Sequence, residues 1–291
     1  MFCIKKIESS LEKELMSYLK QYKKTTMFMM SNLSNSGLEF HQKPFHGEYF
    51  VSFDKNSNIN GALAHYWNGN VMMQTDDLVI LNALVDAFKA QKTRPIAGIL
   101  GEDTQAKATM VQLNLEDLPY AINIQEQLFS LNLQQMTFPK QDDLRRYKLK
   151  PLIECDQHLI KRWLIDYHIE ALGADAHDPS LNEQIEHEIQ DIQINQNRWI
   201  LFVNNNSVSL CGFNARLPDM VQIGPVYTPK NLRNKGYARL GLALCLEQAK
   251  SEGAEQAILF TNEQPAIKSY QSIGFQNIGV YRLALLKKPV L

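Results

Sequence analysis

The sequence predicts an α/β fold of two domains, each combining a mixed sheet with flanking helices. Three observations carry this. At 291 residues the chain exceeds the roughly 100–200 residues of one ordinary domain. Its first half reads as an antiparallel meander that gives way to alternating helix and strand. Its second half holds a stretch, Val221 to Gly241, in which an apolar strand runs into a basic, glycine-bearing turn and then directly into a helix.

Composition bounds the function. Hydrophobic residues make up 45% and charged residues 21%, an ordinary globular balance with ample material for buried cores. A net charge of −1 gives no chain-wide basic field for nucleic acid, so any anion must be bound locally. Cys3, Cys155, Cys211 and Cys245 form no CxxC pair, and no apolar run follows MFCIKKIESS. The expectation is a soluble, cytoplasmic protein with no membrane partner. The seven histidines show no ligand spacing, and no metal is expected.

Apolar spacing predicts a helix over Leu11 to Tyr22, with Leu11, Leu15, Tyr18 and Leu19 on one face. The run from Thr25 to Leu33 is apolar but short, and its methionines read as packing residues. Strands are expected at Tyr49 to Phe53, Ala62 to Trp67 and Val71 to Gln74, with Asn68-Gly69 as a tight hairpin turn. Helix Leu78 to Ala90, strand Ile96 to Leu100 and helix Thr104 to Leu115 follow, then a strand within Gln127 to Phe138.

The polar segment opened by Pro139 places the boundary at 139–146, giving domains at 1–138 and 147–291. A strand at Leu149 to Cys155 starts the second domain. Asp156 caps a helix through Gly173, and Ser180 with Glu183 reads as a capping box for another. Strands Trp199 to Val203, Val208 to Asn214 and Val221 to Tyr227 follow. Helix Tyr237 to Ser251, strand Gln256 to Thr261, helix Pro265 to Ser272 and a last strand pair ending near Lys287 close the chain.

Pro225 sits where an interior strand needs an N–H donor, so a bulge or splayed edge is expected there. That would free main-chain groups of Val226, Tyr227 and Thr228 for an extended, amide-containing ligand. Arg233, Asn234, Lys235, Gly236, Tyr237 and Ala238 then open a helix. Backbone N–H groups at a helix N-terminus, with the positive end of the dipole, suit a pyrophosphate. Lys230 and Arg239 add positive charge at the rim.

These residues resemble the GNAT acyltransferase superfamily, and within it the glycine N-acyltransferase-like branch. The resemblance rests on Gly224-Pro225-Val226-Tyr227-Thr228-Pro229, on Arg233-Asn234-Lys235-Gly236-Tyr237-Ala238, and on Pro265-Ala266 with Tyr270, Gly274 and Phe275. It implies two GNAT-like domains, each a mixed, mostly antiparallel sheet. It also implies acyl-CoA as donor, in the first instance acetyl-CoA, with pyrophosphate on the Arg233 to Ala238 turn and pantetheine along Val226 to Thr228. Tyr270 would protonate the departing thiolate. Relatives carry an asparagine seven residues before that tyrosine; here the position is Glu263, and Asn262 is the neighbour expected to take the contact. The N-terminal half lacks an RxxGxG/A turn and reads as a degenerate copy without cofactor.

Glu170, at the end of its helix, is the first candidate for general base, with Asp219, Tyr227 and water as alternatives. Cys211 and Cys245 are not expected to act as nucleophiles. The acceptor is expected to be a small amine or amino acid rather than nucleic acid, and a homodimer is compatible with the sequence. A non-catalytic acyl-CoA-binding or interaction module is the rival reading. A phosphotransferase is disfavoured because Tyr237, rather than Lys, follows Gly236.

Overall fold

The computed structural model describes residues 2–7, 9–141 and 143–291. The chain divides into two compact units, Met1–Leu128 with Gly279–Leu291, and Phe129–Ile278. The division falls inside a strand rather than in the polar segment 139–146, of which Asp142 lies outside the described residues. The cause is apolar burial: Phe129, Leu131 and Leu133 enter the core of the second unit, while Ala284 and Leu286 enter that of the first.

The first unit contains β1 (Cys3–Ile7), α1 (Glu12–Gln21), α2 (Lys23–Ser36), β2 (Gly47–Phe53), β3 (Ile59–Tyr66), β4 (Asn70–Thr75), α3 (Leu78–Gln91), β5 (Ile96–Glu102) and α4 (Asp103–Gln112). The start of β6 (Tyr120–Asn132) also belongs to it. The apolar run from Thr25 is helical: Met27, Met29, Met30 and Leu33 are buried, and Thr26 Oγ1 donates back to Leu19 O at 2.8 Å. Gly69 takes φ +80° in the turn between β3 and β4, a conformation that favours glycine. Strands β1 to β4 run antiparallel in sequence order, and β5 adds parallel to β4. The chain's last strand then completes the sheet antiparallel to β5, with Leu283 opposite Leu100.

The second unit holds the end of β6, then β7 (Tyr147–Pro151), α5 (Gln157–Leu172), α6 (Leu181–Asn195), β8 (Arg198–Val203), β9 (Asn206–Leu217), β10 (Met220–Tyr227), α7 (Tyr237–Ser251), β11 (Gln256–Thr261) and α8 (Gln264–Gln271). β12 (Gln276–Val290) begins here and is one long strand, not the expected pair. Asp156 caps α5 by accepting from Leu159 N at 2.8 Å. The expected capping box does not form. Ser180 has helical backbone angles and instead donates to Asp178 through N and Oγ, both at 2.8 Å.

Strands β7, β8, β9 and β10 are antiparallel neighbours, and β11 is parallel to β10. Strand alternation divides the core into two faces. Cys211, Phe213, Val221 and Ile223 pack with Leu242, Leu246 and Ile267 of α7 and α8. Leu210 and Tyr227 pack on the other face with Ile160, Trp163, Leu164 and Ile185 of α5 and α6. This places the end of β10 between α5 and the start of α7, where the candidate site lies.

Candidate functional site

β10 is irregular at the expected place. It pairs with β11 from Met220 to Gln222. Its register with β9 shifts after Gln222 and again between Ile223 and Val226, then resumes with Val226 opposite Cys211 and Tyr227 opposite Leu210. The Gly224–Pro225 peptide is cis. Gly224 has φ +156°, and a Cβ there would run into the Asn214 amide. The strand therefore opens on its β11 side beyond Gln222 while β9 still holds its other edge.

The main-chain groups of Val226 to Thr228 are less free than expected. Ser209 Oγ donates to Tyr227 O at 3.0 Å and lies 2.9 Å from Thr228 Oγ1. Arg233 Nε donates to Thr228 O at 2.8 Å. Both carbonyls thus have partners within the protein.

After Pro229, a short 3-10 turn over Lys230–Leu232 leads to Asn234 and Gly236, with φ +63° and +76°. Gly236 is the N-cap of α7 and supplies no side-chain cap. The first amides of this helix therefore lack an intrahelical acceptor and carry the positive end of the dipole. They border a cavity of about 380 Å³. Seven of the expected residues line it: Thr228, Arg233, Asn234, Gly236, Tyr237, Ala238 and the rim cation Arg239. Lys235 is exposed beside it and does not line it, nor do Val226 and Tyr227. Lys268 and Ser269 do, and the sequence reading passed them over. The available signal was their position in α8, within one turn of Tyr270 on a helix already assigned to the site.

Arg233, Arg239 and Lys268 line this cavity, and no carboxylate among the described residues does. The first unit differs at its own strand-to-helix junction. There Asp76 and Asp77 alone join β4 to α3, and Asp77 fills the helix start with its carboxylate, accepting from Val79 N at 2.7 Å.

Glu170 sits in the last turn of α5 and is bound to the cradle's cations. Its Oε2 lies 2.5 Å from Arg233 Nη2, and its Oε1 lies 3.5 Å from Lys230 Nζ. The hydrogen bond from Arg233 holds the Glu170 carboxyl below the usual carboxylate range. Tyr227 donates to Asp166 Oδ2 at 3.2 Å and packs edge-on against Trp163. Burial first, and Asp166 second, push its hydroxyl up to about 12. Asp219 lies at the opposite end of β10, roughly 25 Å of strand away, where its carbonyl accepts from Glu255 N. His168 bonds to Glu188 at 2.7 Å.

Tyr270 lies on α8, partly buried and edge-on to Phe275 with ring centroids 6.0 Å apart. Burial raises its hydroxyl above the ordinary tyrosine range, so it holds its proton. Asn262 and Glu263 occupy the exposed turn before α8, outside the cavity lining. Cys211 and Cys245 are buried thiols in contact with each other, with Sγ atoms 2.9 Å apart.

Both units are a mixed sheet flanked by helices. Residues 158–275 match the model of the Acetyltransferase (GNAT) family. Solved structures share the fold along nearly the whole chain. A GNAT-family acetyltransferase from Colwellia psychrerythraea is 15% identical, with TM-score 0.52 over 97% of this chain and 99% of its own. A GCN5-related N-acetyltransferase from Sphaerobacter thermophilus is 12% identical, with TM-score 0.56 over 99% and 95%. A tandem GNAT protein from the clavulanic acid biosynthesis pathway, solved without AcCoA, is 9% identical, with TM-score 0.55 over 98% of each chain. Comparison with curated proteins finds no match. No helix among the described residues is long and apolar enough to cross a membrane.

Proposed function

We propose that the chain is an acyl-CoA-dependent N-acyltransferase that moves an acetyl group from acetyl-CoA to the amine of a small molecule or amino acid. One observation carries the reading. The uncapped start of α7, the cavity with Arg233, Arg239 and Lys268 on its wall, and the strand opened at Gly224-Pro225 all lie at one end of β10. This is an anion site that continues into a strand edge. The glycine N-acyltransferase-like branch belongs to the same proposal, on the strength of the Gly224 to Pro229 and Arg233 to Ala238 motifs.

Bound acyl-CoA supplies an acyl carbon on a thiolate leaving group. Direct transfer to an amine needs a proton for that thiolate and a route for the proton the nitrogen loses. Tyr270, held protonated by burial, is assigned the first role. Glu170, the first candidate for the second, is ionised and tied to two cations, which makes it a weak proton acceptor. It is assigned instead to orienting Arg233, and water takes the amine proton. The first unit, whose helix start is closed by Asp77, is read as a copy without cofactor.

Calorimetric titration with acetyl-CoA, followed by a thiol-release screen of amines and amino acids, tests the reading. Micromolar binding with release that depends on an amine is the expected result. Absence of binding at millimolar acetyl-CoA would overturn it, and binding without release across the panel would favour the non-catalytic module.

A further inference from the structure

Cys211 and Cys245 are buried thiols that the transfer chemistry does not use. Both are 0% exposed, and their Sγ atoms lie 2.9 Å apart, with one thiol donating to the other. Alanine or valine would serve for packing alone; what a thiol adds is its chemistry. Burial, reinforced by the bond to Cys211, holds the Cys245 thiol protonated. The other cysteines take no part in this contact: Cys3 is exposed in β1, and Cys155 donates to Pro151 O.

The pair joins the sheet to the helix that builds the cradle. Cys211 is on β9, opposite Val226, where β10 resumes its pairing beyond the opening. Cys245 is on α7, the helix whose start borders the cavity. A Cβ on Gly241 would come 3.5 Å from Cys211 Sγ, so that sulfur sits over α7 along the turn from Gly241 to Cys245. Val226 and Tyr270 pack against the same core cluster. A bond between the sulfurs would therefore tie the cradle helix to the strand beside the candidate site.

We propose that Cys211 and Cys245 are a reversible redox latch on the cradle helix, closed by a peroxide and opened by a small thiol. On closing, both S–H bonds break and one S–S bond forms. The two electrons and two protons go to hydrogen peroxide, whose O–O bond breaks to give two waters. On opening, the small thiol returns the electrons and protons and is left as its own disulfide. The bond holds the sulfurs at roughly 2.05 Å, so closing draws α7 and β9 together by up to about 1 Å at this point. That displaces the start of α7 from the anion it faces. Each charge-assisted hydrogen bond lost there is worth roughly 10-fold in affinity or more. The effect on acyl-CoA rests on the acyltransferase reading above; the bond itself does not.

The test uses the whole chain carrying Cys3→Ser and Cys155→Ser, so that only the pair can be linked. Hydrogen peroxide is expected to lower the intact mass by about 2 Da, the two hydrogens lost, and to link the Cys211 and Cys245 peptides in a digest. Calorimetry is expected to show acetyl-CoA bound roughly 10-fold more weakly, and dithiothreitol reverses all three changes. By reciprocity, saturating acetyl-CoA favours the reduced pair by the same factor and raises its reduction potential against glutathione by about 30 mV. Adding Cys245→Ala, with folding checked by circular dichroism, is expected to give equal acetyl-CoA affinity before and after peroxide. Two thiols that stay reduced, both alkylated once the protein is unfolded, overturn the inference. So does a formed bond that leaves acetyl-CoA affinity unchanged. Failure of the reduced protein to bind acetyl-CoA overturns the acyltransferase reading instead, and the latch is then decided by the mass and the linked peptide.

Discussion

Arg233 Nη2 lies 2.5 Å from Glu170 Oε2, so the arginine that heads the cradle is held by the last turn of α5. The same guanidinium donates to Thr228 O and sits 6.0 Å from the centre of the Tyr227 ring. Both partners of the ion pair are partly exposed, and such pairs contribute little to stability, about 0–1 kcal/mol. Its consequence is orientation of Arg233.

Glu170→Gln separates orientation from base catalysis. The proposal expects turnover within about 10-fold of wild type and a changed KM for acetyl-CoA, because Arg233 loses its tether. Removing a general base costs roughly 10²- to 10⁴-fold. A loss of that size in kcat, with the acidic limb gone from the pH–rate profile, would assign Glu170 as the base.

Tyr270→Phe is expected to lower kcat by roughly 10²-fold or more while acetyl-CoA binding by calorimetry stays intact. Because burial raises the Tyr270 hydroxyl, the acid keeps its proton beyond the ordinary tyrosine range. The wild-type profile of kcat should therefore show no alkaline fall from loss of this proton at or below about pH 10. Unchanged turnover in the variant would remove Tyr270 from the mechanism.

Lys268 lines the cavity from α8 and is exposed, so its replacement leaves the core untouched. Lys268→Ala is expected to weaken acetyl-CoA by several-fold, about 1 kcal/mol, and to reduce the salt dependence of binding. Equal affinities at low and high salt for both proteins would place the pyrophosphate elsewhere.

His65, in β3, is fully buried, with Nε2 3.1 Å from Pro95 O. Burial first, and Arg94 second, lower its pKa to about 4, so the folded state holds the neutral ring. Since the unfolded value is near 6.5, the stability this gives is complete above that pH. It is lost as pH falls from about 6.5 toward 4, by roughly 3 kcal/mol at most. Urea midpoints between pH 7.5 and 4.5 should fall more steeply in wild type than in His65→Gln. Parallel curves would show that His65 titrates normally.

Much of the second unit was legible because its signals are local. Helix α7 and strand β11 lie at the expected ranges, Tyr237 to Ser251 and Gln256 to Thr261. Pro225 marked the irregularity in β10 because a missing N–H is a property of the residue itself. The Arg233 to Ala238 turn was legible for the same reason, since glycine at positive φ and an uncapped helix start follow from residue type and order. β1 was not foreseen, because CIKKI carries little apolar alternation and is a strand through its pairing with β2.

What the sequence by itself determined is the chemistry of the cradle: which cations, which glycine and which tyrosine occur, and in what order along one strand, turn and helix. Tertiary structure decided the assignments that depend on partners distant in the chain. It tied Glu170 to Arg233, removed Asp219 to the far end of β10, brought Lys268 and Ser269 to the cavity, and set the Cys211 thiol against that of Cys245. It also gave the last strand to the first unit, where Ala284 and Leu286 find a core. Residue type and spacing specify a conformation over a few turns, but the partner of a charge or an apolar face is whichever group packing brings within a few ångströms, and the order of residues does not state it.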